Sequence, residues 1–421
     1  MKRLGIFSAF VLLCFSLSFG QVSVSVDSVS PLMYGNDVVI TDDALPFSSL
    51  PWPENVQEVL DSLLFSSLFE TSSVGLMVYD LSADSVLYFR NPRLRLRPAS
   101  TLKLLTAVTA LDCLGKDHLL RTRLWTDGVV DSLRVLRGNV YIEGCMDPCF
   151  GMKDLEMLTE GVVSLGIDTL CGDVCADSSM KDERMLGEGW CWDDDNPVLS
   201  ALLLDGKDGL IPAFVDGLRS RGIVITGETG ARVKTPSGSQ LLSTCYHSVG
   251  DLLERMLKQS DNLYAEALFY QIASFRTGAG ATAKDAVKEE RRLLERLGLP
   301  ASTYRIADGS GLSLYNHLTA EMEVMLLRHA FRSPHIFPSL YASLPIAGID
   351  GTLRDRMRGT AACGNVRAKT GSLESVSTLA GYCQAANGHW LCFAILNNGL
   401  QSKGDGRHFQ NRVCMALCQK Y

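Results

Sequence analysis

Pro98-Ala99-Ser100-Thr101-Leu102-Lys103 opens an apolar run that continues to Leu114 and stops at Gly115. Leu104, Leu105, Val108, Leu111 and Leu114 recur at three- and four-residue steps, with Ala107 and Ala110 between them, which predicts a helix with little surface left for water. Gly115 supplies its C-terminal stop. On such a helix Ser100 and Lys103 share one face, the hydroxyl at the N-terminus and the amine a turn further in. Two readings compete. Ser100 is a helix cap and Lys103 snorkels to the surface, or burial disfavours the charged amine and leaves a base able to take the serine proton near neutral pH. Ser-x-x-Lys occurs by chance in a chain of this length, so the rest of the sequence decides.

The 421 residues exceed what one small core usually holds, which suggests two domains, and 46% apolar composition supports packed cores. A formal net charge of −7, with no lysine- or arginine-rich block, argues against a nucleic-acid partner. Residues 1–20 run from Lys2 and Arg3 through apolar Phe7–Leu17 to Ser18 and Gly20, the pattern of a cleaved secretory signal. Cys14 follows Leu13 rather than the small residue a bacterial lipobox has, so lipidation is the lesser reading. No later run nears the roughly 18 apolar residues that span a bilayer, so an exported chain that is soluble after signal cleavage, in the periplasm or cell envelope, is expected.

Residues 21–53, rich in Ser, Asp and Pro, form an irregular arm. Asn55–Phe69 has helical periodicity, and Val74–Tyr79 with Ser85–Phe89 flank a turn, as a hairpin does. From Leu119 to Pro236 short strand-like pieces among Gly, Asp and Ser suggest an inserted, mostly β module. Val249–Phe275 is helical but broken near Ser260-Asp261-Asn262. Ala283–Leu297 reads as a charged helix with a solvated face, Leu318–Phe331 as another helix, and Phe409–Lys420 as the last. Val376–Gln384 and Trp390–Leu396 are strands about an Asn387-Gly388 turn, so one sheet is expected to form from both ends of the chain.

Two further polar clusters stand out. Ser260-Asp261-Asn262 breaks an apolar helix so as to expose a hydroxyl and an amide. Lys369-Thr370-Gly371-Ser372 precedes a strand, with a glycine that lets a ligand approach the backbone. Each alone reads as a cap or a turn. Ser-x-x-Lys, Ser-x-Asn and Lys-Thr-Gly in that order are instead the signature of serine penicillin-binding proteins and β-lactamases. The neighbouring blocks Leu263–Leu268, Ala307-Asp308-Gly309-Ser310-Gly311-Leu312-Ser313, Leu344–Leu353, Val366–Ala368, Leu379–Tyr382 and, in the insert, Gly189–Asp194 and Ser200–Leu202 narrow the match. From about Val74 to its C-terminus the chain resembles the class C penicillin-binding proteins, the D-alanyl-D-alanine carboxypeptidase/endopeptidases of the DacB type.

The resemblance implies an α+β fold, a serine β-lactamase/penicillin-binding-protein transpeptidase-like domain whose antiparallel sheet is flanked by helices, with an inserted mostly β domain. Behind the signal at 1–20, the catalytic domain would occupy 21–118 and 237–421 and the insert 119–236. The spacing from Lys103 to Ser260, 157 positions (260 − 103), is short for the family, so one inserted domain is missing or reduced. The implied partners are peptidoglycan stem peptides and, as inhibitors, β-lactams, with peripheral association with the cell envelope; no cofactor or metal is implied.

In the implied mechanism Ser100 attacks the carbonyl after a D-alanine, Lys103 takes its proton, and Lys369 keeps Lys103 neutral by repulsion. The N–H groups of Ser100 and Ser372 form the oxyanion hole. Ser260 passes a proton to the departing amine, Asn262 holds the substrate amide, and Thr370 with Lys369 binds the terminal carboxylate beside Gly371. Glu143-Gly144-Cys145-Met146-Asp147-Pro148 matches imperfectly a segment that holds the diamino acid of the stem, which makes Asp147 a candidate substrate contact. Two alternatives stay open, a β-lactamase and a non-catalytic cell-wall binding protein of the same fold. The Glu-x-x-Leu-Asn segment of class A β-lactamases does not follow Asn262.

Cys383 and Cys392 lie symmetrically about Asn387-Gly388, which in a two-residue hairpin makes them a facing pair, either disulfide-bonded or packed as thiols. Cys145-x3-Cys149 and Cys171-x3-Cys175 suit disulfides or free thiols better than zinc in an exported protein. Cys414 and Cys418 share a helix face and belong to a core.

Overall fold

The computed structural model describes residues 45–46 and 48–419. The expected signal at 1–20 and most of the arm at 21–53 lie outside the described residues. Apolar segments from the two ends of the chain do meet in one sheet, in the order Arg367–Leu373, Val376–Gln384, Trp390–Asn398, Ser73–Asp80, Ser85–Arg90, each strand antiparallel to its neighbours. Alternate side chains feed two cores. Met77, Tyr79, Tyr382, Cys392 and Leu396 face one, which they share with the helices Lys103–Cys113, Val249–Lys258, Asn262–Thr277 and Ala320–Arg332. Leu76, Val78, Cys383, Phe393 and Ile395 face the other, against the helices Glu54–Leu64 and Lys403–Cys418. A sheet covered on both faces needs strands that are apolar throughout, which is why these segments show little alternation.

The hairpin after Val376–Gln384 differs from the expectation. Gln384 pairs with Trp390, Cys383 with Leu391 and Tyr382 with Cys392. The turn holds three residues, Ala386-Asn387-Gly388, closed by Ala385 N–H to the His389 carbonyl, with Gly388 at φ +87°. A three-residue loop with glycine in the left-handed position shifts the register by one relative to a two-residue turn. The two cysteines therefore point to opposite faces and are free.

The inserted segment is mostly β, as expected, and two helices pack on its sheet. Its five-stranded sheet runs Thr229–Arg232, Val174–Asp177, Val140–Glu143, Leu119–Thr126, Gln240–Ser248, and the helices Met152–Val163 and Leu210–Ser220 fill its core with Leu155, Leu158, Val162, Phe214 and Leu218. The periodicity of those helices is present in sequence, but Gly161, Pro212 and Gly217 interrupt it. The last strand lies beyond residue 236. Gln240–Ser248 pairs along Leu119–Thr126 and runs into Val249–Lys258, whose N-cap is Ser248. In the charged helix Ala283–Arg296, Lys284, Lys288 and Arg292 face outward as expected, whereas Glu289 and Glu290 are buried. The helix expected over 55–69 ends at Leu64, leaving Phe65 exposed before a further turn at Leu68–Thr71. Among the described residues no helix is long and apolar enough to cross a membrane.

Candidate active site

Ser100 lies in a short 3-10 turn, Ala99–Leu102, that runs directly into the helix beginning at Lys103. Ala99 has φ +48°, a region a side chain with Cβ rarely adopts, and the turn leaves Ser100 half-buried while Lys103 is fully buried. The amine of Lys103 is 3.0 Å from Ser100 Oγ and 2.7 Å from both Asn262 Oδ1 and the carbonyl oxygen of Ser310. All three partners are uncharged. Burial pushes the amine down to about 8, while Asp308, Glu266 and Asp261, further away, pull it back up.

The second cluster starts the helix Asn262–Thr277. Asp261 caps it, Oδ1 accepting from Leu263 N–H at 3.0 Å and Oδ2 from Arg255 Nε at 2.9 Å, and Ser260 stands in the loop at φ +62°. This cap turns Ser260 Oγ to within 2.8 Å of Lys369 Nζ, which also donates to the Thr370 carbonyl at 2.6 Å. Lys369 is fully buried and pushed well below the usual lysine range, by burial first and by the charge of Lys103 second. The repulsion between the amines thus weighs on Lys369, and it is burial that depresses Lys103.

Lys369, Thr370, Gly371 and Ser372 lie on the edge strand Arg367–Leu373. A Cβ on Gly371 would sit 2.9 Å from Ser100 N and 2.7 Å from the Pro98 carbonyl oxygen, so the glycine brings this strand, with Ser372 next along it, against the Ser100 backbone. The Thr370 hydroxyl is 2.8 Å from that of Thr352. The structure therefore brings Ser100, Lys103, Ser260, Asn262, Lys369, Thr370 and Gly371 together from parts of the chain nearly 270 positions apart (369 − 100). Asp147 is not joined to this set by any described contact. It is buried, with Oδ1 accepting from Cys149 N–H at 2.9 Å and Oδ2 2.7 Å from His247 Nδ1.

Sequence reasoning assigned no role to the loop that carries Ser310. Glu266 Oε1 accepts from the N–H groups of Gly309 and Ser310, at 3.1 and 2.8 Å. Asp308 accepts from Gly311 and Ser313 N–H, from Asn316 Nδ2 and from Trp190 Nε1. These bonds turn the Ser310 carbonyl toward Lys103, and Gly311, at φ +81°, fits where a Cβ would lie 1.9 Å from the Ala99 carbonyl oxygen. The signal was present in the blocks around Glu266, Asp308 and Trp190, but their roles depend on contacts that spacing does not reveal.

An antiparallel sheet with a serine–lysine helix on one face and a lysine on its edge strand is the architecture of the penicillin-binding proteins. The D-Ala-D-Ala carboxypeptidase 3 (S13) family model matches residues 56–203 and 203–419, and the chain belongs to that family of serine-type peptidases. It is 29% identical over 443 residues to the D-alanyl-D-alanine carboxypeptidase of Actinomadura sp. (strain R39), covering 82% of this chain and 81% of the relative. To DacB of Haemophilus influenzae it is 25% identical over 441 residues, covering 85% and 91%. The solved structure of penicillin binding protein 4 (dacB) from Haemophilus influenzae shares the fold with a TM-score of 0.78 at 23% identity, over 87% of this chain and 100% of that one.

Proposed function

We propose that the chain is an exported D-alanyl-D-alanine carboxypeptidase that acts on peptidoglycan stem peptides through an acyl-enzyme on Ser100, and that it also opens crosslinks as an endopeptidase. The observation that carries this reading is the buried Lys103 amine, held 3.0 Å from Ser100 Oγ by partners without charge. In the neutral form it accepts the serine proton as Ser100 Oγ bonds to the carbonyl carbon of the penultimate D-alanine, the acyl side of the scissile peptide bond. The oxyanion is received by the N–H groups of Ser100 and Ser372, a contribution of about 3 kcal/mol per donor. The C–N bond breaks as Ser260, 2.8 Å from Lys369, passes a proton to the departing D-alanine amine, and water then hydrolyses the ester to release the shortened stem and free Ser100. The terminal carboxylate binds Lys369 and Thr370 and favours the charged form of Lys369 that burial disfavours.

The edge strand supports β-augmentation by the extended stem peptide. Ile346 bridges it at Arg367, at its start, and the stretch from Lys369 to Ser372 runs past Ser100. β-Lactams acylate the same serine. The leader at 1–20 supports export, and peripheral association with the cell envelope follows from the substrate.

The test compares the parent with Ser100→Ala for D-alanine release from a muropeptide. Release by the parent alone is expected. Equal release by both would refute the assigned nucleophile, and no release by either would favour a non-catalytic wall-binding protein.

A further inference from the structure

Glu323 lies on the helix Ala320–Arg332, fully buried, with Oε1 2.6 Å from Thr101 Oγ1. The same Thr101 hydroxyl is 2.8 Å from the carbonyl oxygen of Pro98. A hydroxyl carries one proton, and a carbonyl only accepts. Both short contacts are hydrogen bonds only when Thr101 donates to Pro98 and the proton between Thr101 and Glu323 belongs to the carboxyl. The second oxygen, Oε2, is buried with no hydrogen-bond partner among the described residues, where an ionised carboxylate would be uncompensated. Burial pushes this carboxyl up to about 8, the Thr101 hydroxyl opposing that rise.

The Pro98 carbonyl also accepts from Thr378 Oγ1 at 2.6 Å. Two hydroxyls therefore hold the carbonyl that precedes Ala99, the residue strained at φ +48°, and Gly371 packs against this same carbonyl and against Ser100 N. We propose that Glu323 is a positioning residue for acylation, a neutral carboxylic acid that donates to Thr101 and so locks the Pro98–Ala99 turn that sets Ser100 and its N–H against the edge strand. The proposal rests on the acyl-enzyme reading of Ser100.

Titratable groups on the elements packed against this helix are engaged elsewhere. Lys103 meets Ser100, Asn262 and Ser310, Asp112 meets Arg296 and His329, and the Tyr79 hydroxyl meets Asp84. The Tyr382 hydroxyl meets the Leu327 carbonyl, Cys392 the Val324 carbonyl, and Tyr341 lies under Arg367. On the helix itself Glu321 pairs with Arg93, and Arg328 and Arg332 pair with Asp84. A pH effect that vanishes in Glu323→Gln therefore reports on Glu323.

The experiment measures the second-order rate of acylation by a fluorescent penicillin for the parent, Glu323→Gln and Glu323→Ala across neutral to alkaline pH. At pH 7 the alanine variant should be at least about tenfold slower, while the glutamine variant, whose amide N–H replaces the carboxyl donor, should stay within about threefold of the parent. Above roughly pH 8 the ratio of Glu323→Gln to parent should climb several-fold as the parent's carboxyl ionises. An alanine variant as fast as the parent, or a ratio that stays flat with pH, overturns the proposal. If Glu323→Ala does not fold, the ratio decides alone. A parent that forms no covalent adduct at Ser100 overturns the acyl-enzyme reading and this proposal together, whereas normal parental labelling with a flat ratio overturns this one only.

Discussion

With Lys103 as the proposed base, its titration is expected to set the pH at which Ser100 becomes reactive. Its amine, ordinarily near 10.5, is pushed down to about 8 by burial. At pH 7 about one molecule in ten then carries the neutral base, against about one in three thousand for an ordinary lysine, a gain equivalent to about 3 kcal/mol. Acylation by a penicillin, whose own charge does not change in this range, should rise about tenfold from pH 6 to 7 and level off near pH 9. In the parent the ionisation of Glu323 would cut into that plateau, and in Glu323→Gln the plateau should persist. The same burial has a stability consequence of definite sign. The folded state binds fewer protons than the unfolded one between about pH 8 and 10.5, so stability rises with pH through that window and the cost is borne in full below it. Lys103→Met should therefore abolish labelling while stabilising the fold at pH 7 by up to about 3 kcal/mol, read by denaturant unfolding. A rate independent of pH between 6 and 8, a midpoint near 10.5, or a Lys103→Met variant that still labels would refute the reasoning.

Asn262→Asp places a carboxylate where an amide oxygen now lies 2.7 Å from Lys103 Nζ, and should move the acid limb of the acylation profile up by about one to three pH units. Asn262→Ala should leave the limb below 9, and an unmoved limb in the aspartate variant would separate Asn262 from the base. Gly371→Ala puts a Cβ 2.9 Å from Ser100 N and should slow acylation about 10²- to 10³-fold, the loss of one oxyanion donor; near-parental rates of labelling would mean the edge strand does not support the oxyanion. Purified protein should turn over nitrocefin slowly, with the acyl-enzyme persisting in intact-mass spectra, and rapid turnover would make it a β-lactamase.

The legible parts of this protein were those governed by local periodicity. The apolar steps from Leu104 to Leu111 gave the buried helix, the break at Ser260 gave two helices, and the apolar runs at 74–79 and 376–396 gave strands covered on both faces. Less legible were features set by a single residue's conformation. Gly388 in the left-handed region makes a three-residue turn, and that one residue carries Cys383 and Cys392 to opposite faces. The closing strand Gln240–Ser248 was missed because its burial is patchy, its place being fixed by pairing with Leu119–Thr126 rather than by its own pattern. In the candidate site the motifs named side chains that the fold brings together, but not what holds them. Glu266, Asp308 and Glu323 act through hydrogen bonds to neighbours distant in sequence, and nothing in their spacing distinguishes them from surface carboxylates.

The arrangement around Lys103 suits the role of base proposed for it. A carboxylate in contact with the amine would stabilise the ammonium and cost the enzyme its proton acceptor. Glu266 and Asp308 lie close enough to raise the amine's pKa, yet Glu266 Oε1 is occupied by Gly309 and Ser310, and both Asp308 oxygens by Gly311, Ser313, Asn316 and Trp190. They act on the base by shaping the loop that offers it the Ser310 carbonyl, a partner that orders the amine without charging it. Trp190 gives the inserted segment a part in this, because its indole N–H, 2.8 Å from Asp308, ties the insert to the same loop. Burial also pushes the Glu266 carboxyl up to about 8, so this carboxyl and the amine change protonation in the same pH range, and each favours the charged form of the other. The proposed base therefore depends on a loop set by two buried carboxyls, and on the dryness of that loop as much as on Lys103 itself.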